Sequence, residues 1–267
     1  MGTMFAKELR RTRFSLIIWS SVVGLVVFFG ILEYPMLQQL TGPSGFGAME
    51  AAITVIPAPG QLVFGVYNVN LNAPIGYYIV MYYWTGLIVF THAMFIGASI
   101  IAKESRDKTA EYLFTKPYTR SVIVWSKVLA ALVNILVVGV VALVLSVLGM
   151  LQVTNDTGVY IQILATGVGM IFTQCVLAAL GLLCSAVFKT YRGGMFAAMV
   201  LLVICYILMY VAQYNNSLYF LSPMAYFEIS YVALRGVNTW YIPLSITVIV
   251  LCLYLTQMIY KRKVMIL

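Results

Sequence analysis

Few residues of this chain have side chains suited to catalysis or metal binding. His92 is the only histidine, so paired-histidine metal sites such as H-E-x-x-H are excluded. The sequence contains no G-x-x-x-x-G-K-[S/T] motif, and so no P-loop to cradle ATP phosphates. It has no G-x-S-x-G motif either. We therefore expect a chain that is not an enzyme and holds neither a metal ion nor a cofactor.

The segment best suited to binding a partner runs from Ala102 to Lys127, reads AKESRDKTAEYLFTKPYTRSVIVWSK and holds nine of the 24 charged residues. Its first half has no Pro or Gly, and Glu104 with Lys108 forms a favourable i,i+4 pair, which predicts a short helix. Pro117 ends that helix, because the residue before a proline is pushed out of the helical region. A charged and aromatic helix of this kind suits docking to a soluble protein. The alternative is a solvated connector between two helices.

Six apolar stretches flank this segment or follow it in the chain. Hydrophobic residues make up 63% of the sequence and charged residues only 9%, whereas soluble domains carry about 25% charged residues. A membrane-spanning helix needs about 20 apolar residues, and backbone groups in lipid must be satisfied within the helix. We therefore expect an all-α polytopic membrane protein, a single transmembrane domain over residues 1–267. The predicted spans, none of which contains Lys, Arg, Asp or Glu, are Phe14–Leu32, Tyr77–Ile101, Val128–Leu151, Val159–Phe188, Met195–Gln213 and Tyr241–Tyr260.

The basic residues give these spans an orientation. Fifteen of the 16 Lys and Arg residues fall on one side of the pattern, and only Arg235 falls on the other. Short loops rich in Lys and Arg stay in the cytoplasm, so we expect both termini and the loop 102–121 there. This bias also accounts for the net charge of +8, and we expect no nucleic-acid partner. Residues 33–76 and 214–240 are then extracellular, and the second is apolar enough to dip into the membrane interface or re-enter the bundle.

Residues 1–13 combine basic and apolar side chains at helical spacing. This pattern favours an interfacial helix that lies on the cytoplasmic surface before the chain turns into the first span. A frayed tail that only carries topogenic charge is the alternative. The residues assigned to this helix are Phe5, Lys7, Leu9, Arg10 and Arg11. At the start of the third span, we expect Lys127 to extend its ammonium group outward to the membrane surface.

Polar residues within the spans are the candidates for a translocation pathway. Polar side chains in spans usually face protein or a cavity, and Thr85, His92 and Ser99 are spaced by seven, so they share one helix face. Hydrogen bonding between helices is the alternative role. The candidates are Thr85, His92, Ser99, Thr173 and Gln174. The 19 tyrosines and 4 tryptophans suit belts at the membrane interfaces.

The segment after the second span resembles the ABC-2 family of ATP-binding-cassette transporter permeases. The family's loop reads E-x-x-x-G-T-x-E-x-L-L-x-x-P-x-S-R, with a Lys at the start of the third span. Two departures are Lys108 in place of Gly and Thr119 in place of Ser. Phe64-Gly65, Pro74–Tyr77 and Leu221–Phe227 also look like that family. The corresponding residues here are Glu104, Lys108, Thr109, Glu111, Leu113, Pro117, Arg120 and Lys127.

The resemblance implies that residues 103–120 form a coupling helix that docks on a separate ATPase subunit. The chain would work as a pair of permease copies, homodimer or heterodimer, with ATP and Mg²⁺ held by the ATPase partner. We expect a multi-pass protein of a prokaryotic cell membrane that exports a hydrophobic or amphipathic substrate. The alternatives are a non-transporting membrane anchor or scaffold for a cytoplasmic partner, and a channel or secondary carrier. The absence of charged residues inside the spans disfavours the last.

Overall fold

A computed structural model describes residues 2–41, 47–67, 69–106, 119–188, 190–214 and 216–262, and these residues contain helices but no strand. Six of the helices are long and apolar enough to cross a membrane, which confirms the predicted fold class. The helices are α1 (Gly2–Thr41), α2 (Gly47–Val55), α3 (Ala58–Phe64), α4 (Pro74–Arg106), α5 (Arg120–Met150), α6 (Thr157–Val187), α7 (Tyr191–Tyr214), α8 (Ile229–Arg235) and α9 (Tyr241–Arg262). A 3₁₀ helix (Asn216–Leu221) follows α7.

Helix α1 differs from the prediction at its N-terminus. It runs from Gly2 to Thr41 as one helix, so the predicted turn between an interfacial helix and the first span is wrong. The physical reason is burial: Met4, Glu8 and Thr12 lie one turn apart on one face and are all buried. Because this face packs against protein, bending the helix away along the membrane surface would expose these buried side chains.

The centre of the bundle is formed by α4 and α6, which run in the same direction. Their backbones approach closely: a Cβ atom on Gly97 would lie 2.2 Å from the carbonyl oxygen of Ala178, and one on Gly181 would lie 2.4 Å from that of Met94. Small residues at such contacts let membrane helices pack through their backbones. The other long helices surround this pair, and α1, α7 and α9 keep wide apolar faces exposed.

The segment between α7 and α9 enters the bundle, which is one of the two alternatives that its apolar composition left open. The Ser222 hydroxyl donates to the carbonyl of Cys205 at 3.1 Å, which is nine residues, or about 13 Å, back along α7 from its end. Phe227 is buried and stacks on Phe172 of α6 at 5.6 Å between ring centroids. We call the end of the bundle at this segment the outer end. The end where α4 stops and α5 starts is called the basic end.

Candidate coupling site

A buried lysine joins three helices at the basic end. The ammonium group of Lys127, on α5, donates to the Ile100 carbonyl of α4 at 2.7 Å and to Oε1 of Glu8 of α1 at 3.4 Å. The side chains of Lys127 and Glu8 are 0% and 3% exposed. The prediction that Lys127 extends to the membrane surface is therefore wrong. A carbonyl and a carboxylate within reach satisfy the ammonium group inside the bundle, where an unpaired charge is expensive.

The ion pair continues into a second contact between α1 and α5. Asn134 lies seven residues after Lys127, and Thr12 lies four after Glu8, so both fall on the same helix faces as the ion pair. Asn134 Nδ2 donates to the Thr12 hydroxyl at 3.1 Å and to the Ala130 carbonyl at 2.7 Å. The Thr12 hydroxyl donates in turn to the Glu8 carbonyl at 3.1 Å. The result is a buried polar ladder, which we define as Glu8, Thr12, Lys127 and Asn134.

This polar ladder lies just inside the ends of α4 and α5, which border residues 107–118. Ile100 is six residues before the end of α4, and Lys127 is seven residues after the start of α5, so each is about 10 Å along its helix from that segment. Thr119 is the N-cap residue of α5, without a side-chain capping bond. The ladder is thus a buried polar contact within about two turns of the segment, just beyond a buried apolar contact between Met4 and Ile123.

Much of the predicted docking segment lies outside the described residues: Lys108, Thr109, Glu111, Leu113 and Pro117. Glu104 is in the last turn of α4 and Arg120 is the first residue of α5, and for both only the backbone is described. The docking surface itself therefore stays a prediction.

The residues predicted for the interfacial helix divide between two faces of α1. Phe5 and Leu9 are half-buried and pack against the main hydrophobic core. Lys7 and Arg10 are exposed, and Arg11 is half-buried. Sequence reasoning missed Glu8, although a signal was present: it is the one acidic residue among four basic residues at positions 7–13, and it shares a face with the apolar Met4.

Two of the predicted pathway residues line a groove of about 340 Å³ between α1, α4 and α7. His92 is 1% exposed, and neither ring nitrogen has a hydrogen-bond partner among the described residues. Its ring lies 5.3 Å from that of Trp19 of α1. Ser99 lines the same groove and donates to the Ile96 carbonyl at 3.3 Å. A partly polar groove therefore runs along one side of α4.

The other three pathway candidates are buried between helices and do not line this groove. Thr85 and Thr173 donate to the backbone carbonyls one turn earlier, of Met81 at 2.8 Å and of Gly169 at 3.0 Å. Gln174 packs against Gly139 of α5, where a Cβ atom would lie 2.9 Å from its Nε2. Neither its oxygen nor its nitrogen has a partner among the described residues. The structure does not bring these three residues together with His92 and Ser99.

Comparison with known proteins identifies a family for this arrangement. A family model described as ABC-2 family transporter protein matches residues 3–261. No curated protein matches the chain. The match spans α1 to α9 and therefore includes the polar ladder, the groove and the segment between α4 and α5.

Proposed function

Because the chain belongs to the ABC-2 family of transporter proteins, we propose that it is the permease subunit of an ABC transporter that exports a hydrophobic or amphipathic substrate. Two permease copies form the pathway, and separate ATPase subunits dock at the basic end. ATP and Mg²⁺ are held by those subunits, so the permease alone does not hydrolyse ATP. The observation that carries the proposal is the ion pair between Lys127 and Glu8, because it ties both helices bordering the docking segment to a third helix.

Coupling in this proposal works through rigid helices. Residues 103–120 dock on the ATPase, and closure of the ATPase subunits moves that segment. Lys127 is bonded to α4 through Ile100 and to α1 through Glu8, so the ends of α1, α4 and α5 move as one unit. Asn134 and Thr12 extend the same tie by about two turns along α5. A displacement of the segment is therefore transmitted to the spans through these hydrogen bonds and is not absorbed by the movement of flexible side chains.

In this proposal, the groove beside His92 is the surface that each permease copy contributes to the translocation pathway. The His92 ring nitrogens have no hydrogen-bond partner among the described residues, and polar side chains in spans normally face protein or a cavity rather than lipid. Ser15 and Trp19 of α1 and Tyr191 of α7 form its sides. A second permease copy across this groove would enclose a partly polar space next to His92 and Ser99. Substrate would pass through that space between the two copies.

We propose that the protein lies in a prokaryotic cell membrane with its basic end in the cytoplasm, and the charge distribution supports this orientation. Fifteen of the 16 basic residues fall on one side of the pattern of spans in the sequence, and positively charged short loops are retained in the cytoplasm. The two chain termini, the docking segment and the polar ladder then share the compartment in which ATP is available. The outer end faces the other side of the membrane.

The test is a comparison of ATP hydrolysis with transport in proteoliposomes that contain the permease and its ATPase. Reversing the charge of the docking segment with Glu104→Lys and with Glu111→Lys should uncouple the two activities while membrane insertion stays normal. Glu33→Lys is the matched control, because Glu33 is an exposed carboxylate of α1 near the outer end. Normal coupling in both segment variants would contradict the proposal.

A further inference from the structure

A second cavity lies at the outer end, on the side of the bundle formed by α4, α7 and residues 219–230. Its volume is about 270 Å³. Residues 62–67, at the end of α3 and just beyond it, form a further wall. The cavity, which we call the tyrosine chamber, is lined by six tyrosines: Tyr67, Tyr82, Tyr83, Tyr206, Tyr210 and Tyr219.

The walls of the tyrosine chamber are fixed by specific contacts. The hydroxyl groups of Tyr83 on α4 and Tyr210 on α7 are hydrogen-bonded to each other. Gly65 adopts φ of +71° and lies against the Tyr83 ring, where a Cβ atom would come within 2.5 Å of the ring. Only glycine combines that backbone conformation with so close an approach. The aromatic rings are therefore held in place around a preformed space.

The only charged residue among the described residues that line the chamber is Glu228. Its carboxylate accepts hydrogen bonds from the backbone N–H groups of Ser230 at 3.2 Å and Tyr231 at 3.0 Å. A carboxylate offers about four acceptor sites, so these two bonds leave acceptor capacity for a ligand. Arg235 does not line the chamber and lies over the Tyr231 ring, with its guanidinium carbon 5.6 Å from the ring centroid.

The tyrosine hydroxyl groups add no charge to the chamber. Burial raises the pKa of Tyr219, and the nearby Glu228 carboxylate raises it further, so this phenol stays neutral at physiological pH. The Tyr206 hydroxyl is buried and has no hydrogen-bond partner among the described residues. The chamber thus combines neutral aromatic faces, one carboxylate and one unpartnered hydroxyl.

The wider charge distribution favours the same kind of ligand. In the sequence, the outer segments carry four acidic residues, Glu33, Glu50, Asp156 and Glu228, against one basic residue, Arg235. A negative field of this kind attracts cations to a cavity that opens there. Aromatic rings attract organic cations through their faces, and the attraction is strongest where water is excluded.

We propose that the tyrosine chamber binds the cationic group of an organic cation of the quaternary ammonium class, with Glu228 as its counter-ion and the tyrosine rings around it. The chamber is slightly smaller than typical small-molecule sites, which begin at about 300 Å³, so it suits a compact cationic group rather than a drug-sized molecule. The further step, that such cations are the cargo of the exporter, rests on the proposed function. Binding to the purified chain needs no ATPase, so failure of binding and failure of coupling are separate results.

The experiment is equilibrium binding of radiolabelled benzyltrimethylammonium to the full chain in non-ionic maltoside micelles. Glu228→Gln keeps one oxygen to accept from the start of α8 and removes the charge, and we expect it to weaken binding at least tenfold. Asp156→Asn is the matched control, because Asp156 is also an N-cap carboxylate at the outer end, accepting from Gly158 at 2.8 Å, but does not line the chamber. Because only a distant charge is lost, it should weaken binding far less than Glu228→Gln does.

Two further variants keep the test decisive if Glu228→Gln folds poorly. Tyr206→Leu removes one ring and should weaken binding about three- to thirty-fold. Tyr206→Phe keeps the ring, loses only the hydroxyl group, and should weaken binding less than Tyr206→Leu does. Gly86→Leu places a side chain into the chamber from α4, where the nearest atom is a ring carbon of Phe90 at 3.2 Å from a Cβ, and it should abolish binding.

The carbon isostere of a choline-like ligand tests whether charge is what the site recognises. Choline should displace the radiolabel, and 3,3-dimethylbutan-1-ol, which has the same shape without the charge, should not. Added phosphatidylcholine distinguishes two sources of the ligand. If it displaces the radiolabel, the natural ligand is a lipid headgroup; if it does not, the natural ligand is a soluble cation. Undetectable binding, equal affinity of the Glu228→Gln and Asp156→Asn variants, or equal displacement by the neutral alcohol would overturn the proposal.

Discussion

Lys127 and Glu8 are 119 residues apart in the sequence and form a buried ion pair with 3.4 Å between Nζ and Oε1. Removing one partner of such a pair is far more damaging than replacing both, because the remaining charge stays buried without compensation. The pair joins the N-terminal helix α1 to α5, which begins at the end of the docking segment. In the proposed function, this one contact contributes to both stability and coupling.

The first prediction separates those two roles of the ion pair. Lys127→Met should lower the free energy of unfolding by about 3–5 kcal/mol, because Glu8 is left buried and unpaired. The double variant Lys127→Met with Glu8→Leu should recover most of that stability and still couple ATP hydrolysis to transport poorly. Thermal unfolding in micelles and coupled transport measure the two effects. Lys7→Met, on the exposed face of the same helix turn, is the control. Normal coupling in the double variant would show that the pair is only structural.

A second prediction concerns the polar ladder beyond the ion pair. Thr12→Val and Asn134→Leu each remove one partner of the 3.1 Å hydrogen bond between α1 and α5. A double-mutant cycle for this pair should give a coupling energy of about 0.6 kcal/mol and at most about 1.7 kcal/mol, the range of hydrogen bonds between membrane helices. A coupling energy indistinguishable from zero would mean that the bond does not hold the two helices together.

A third prediction tests the close approach of α4 and α6. Gly97→Ala should destabilise the fold by about 1–3 kcal/mol, because the added Cβ would lie 2.2 Å from the Ala178 carbonyl oxygen. Gly24→Ala is the control, since its Cβ would meet only a terminal methyl group of Leu145 at 3.2 Å. Chemical denaturation in micelles checks both. Equal stability of the two variants would contradict backbone packing at this crossing.

The sequence was sufficient to predict six spanning helices, because each contains a charge-free apolar run long enough to cross a membrane. It also predicted that residues 214–240 either dip into the membrane interface or re-enter the bundle, since that segment is too apolar to face water, and the buried Ser222 and Phe227 favour the second. These features depend on local composition, which a single sequence displays directly.

Features that depend on contacts between distant residues were not predictable. The direction of Lys127 is set by Glu8 and by the Ile100 carbonyl, which no local pattern identifies. The continuation of α1 through residues 2–13 likewise depends on contacts with distant residues, which bury Met4, Glu8 and Thr12. The tyrosine chamber brings together tyrosines from four separate parts of the chain, and composition alone assigned tyrosines to the membrane interfaces.

A fourth prediction concerns the groove beside His92. In a chain whose four cysteines are replaced, Ser99→Cys should react with a water-soluble methanethiosulfonate, because Ser99 lines the groove of about 340 Å³. Ser146→Cys should react much more slowly. The two serines are matched in exposure, at 9% and 8%, but Ser146 of α5 does not line the groove. Modification rates in membranes are the measurement, and equal rates would contradict a water-accessible groove.

The central claim is that this permease works with a separate ATPase, and the most direct measurement is to tag the chain, extract the membranes gently and identify what co-purifies. We predict one ATPase subunit per permease copy and ATP hydrolysis by the complex, with both lost when Glu104 and Glu111 are reversed together. A clean permease dimer without ATPase, despite expression of the native partner genes, would contradict the account and favour a scaffold or channel.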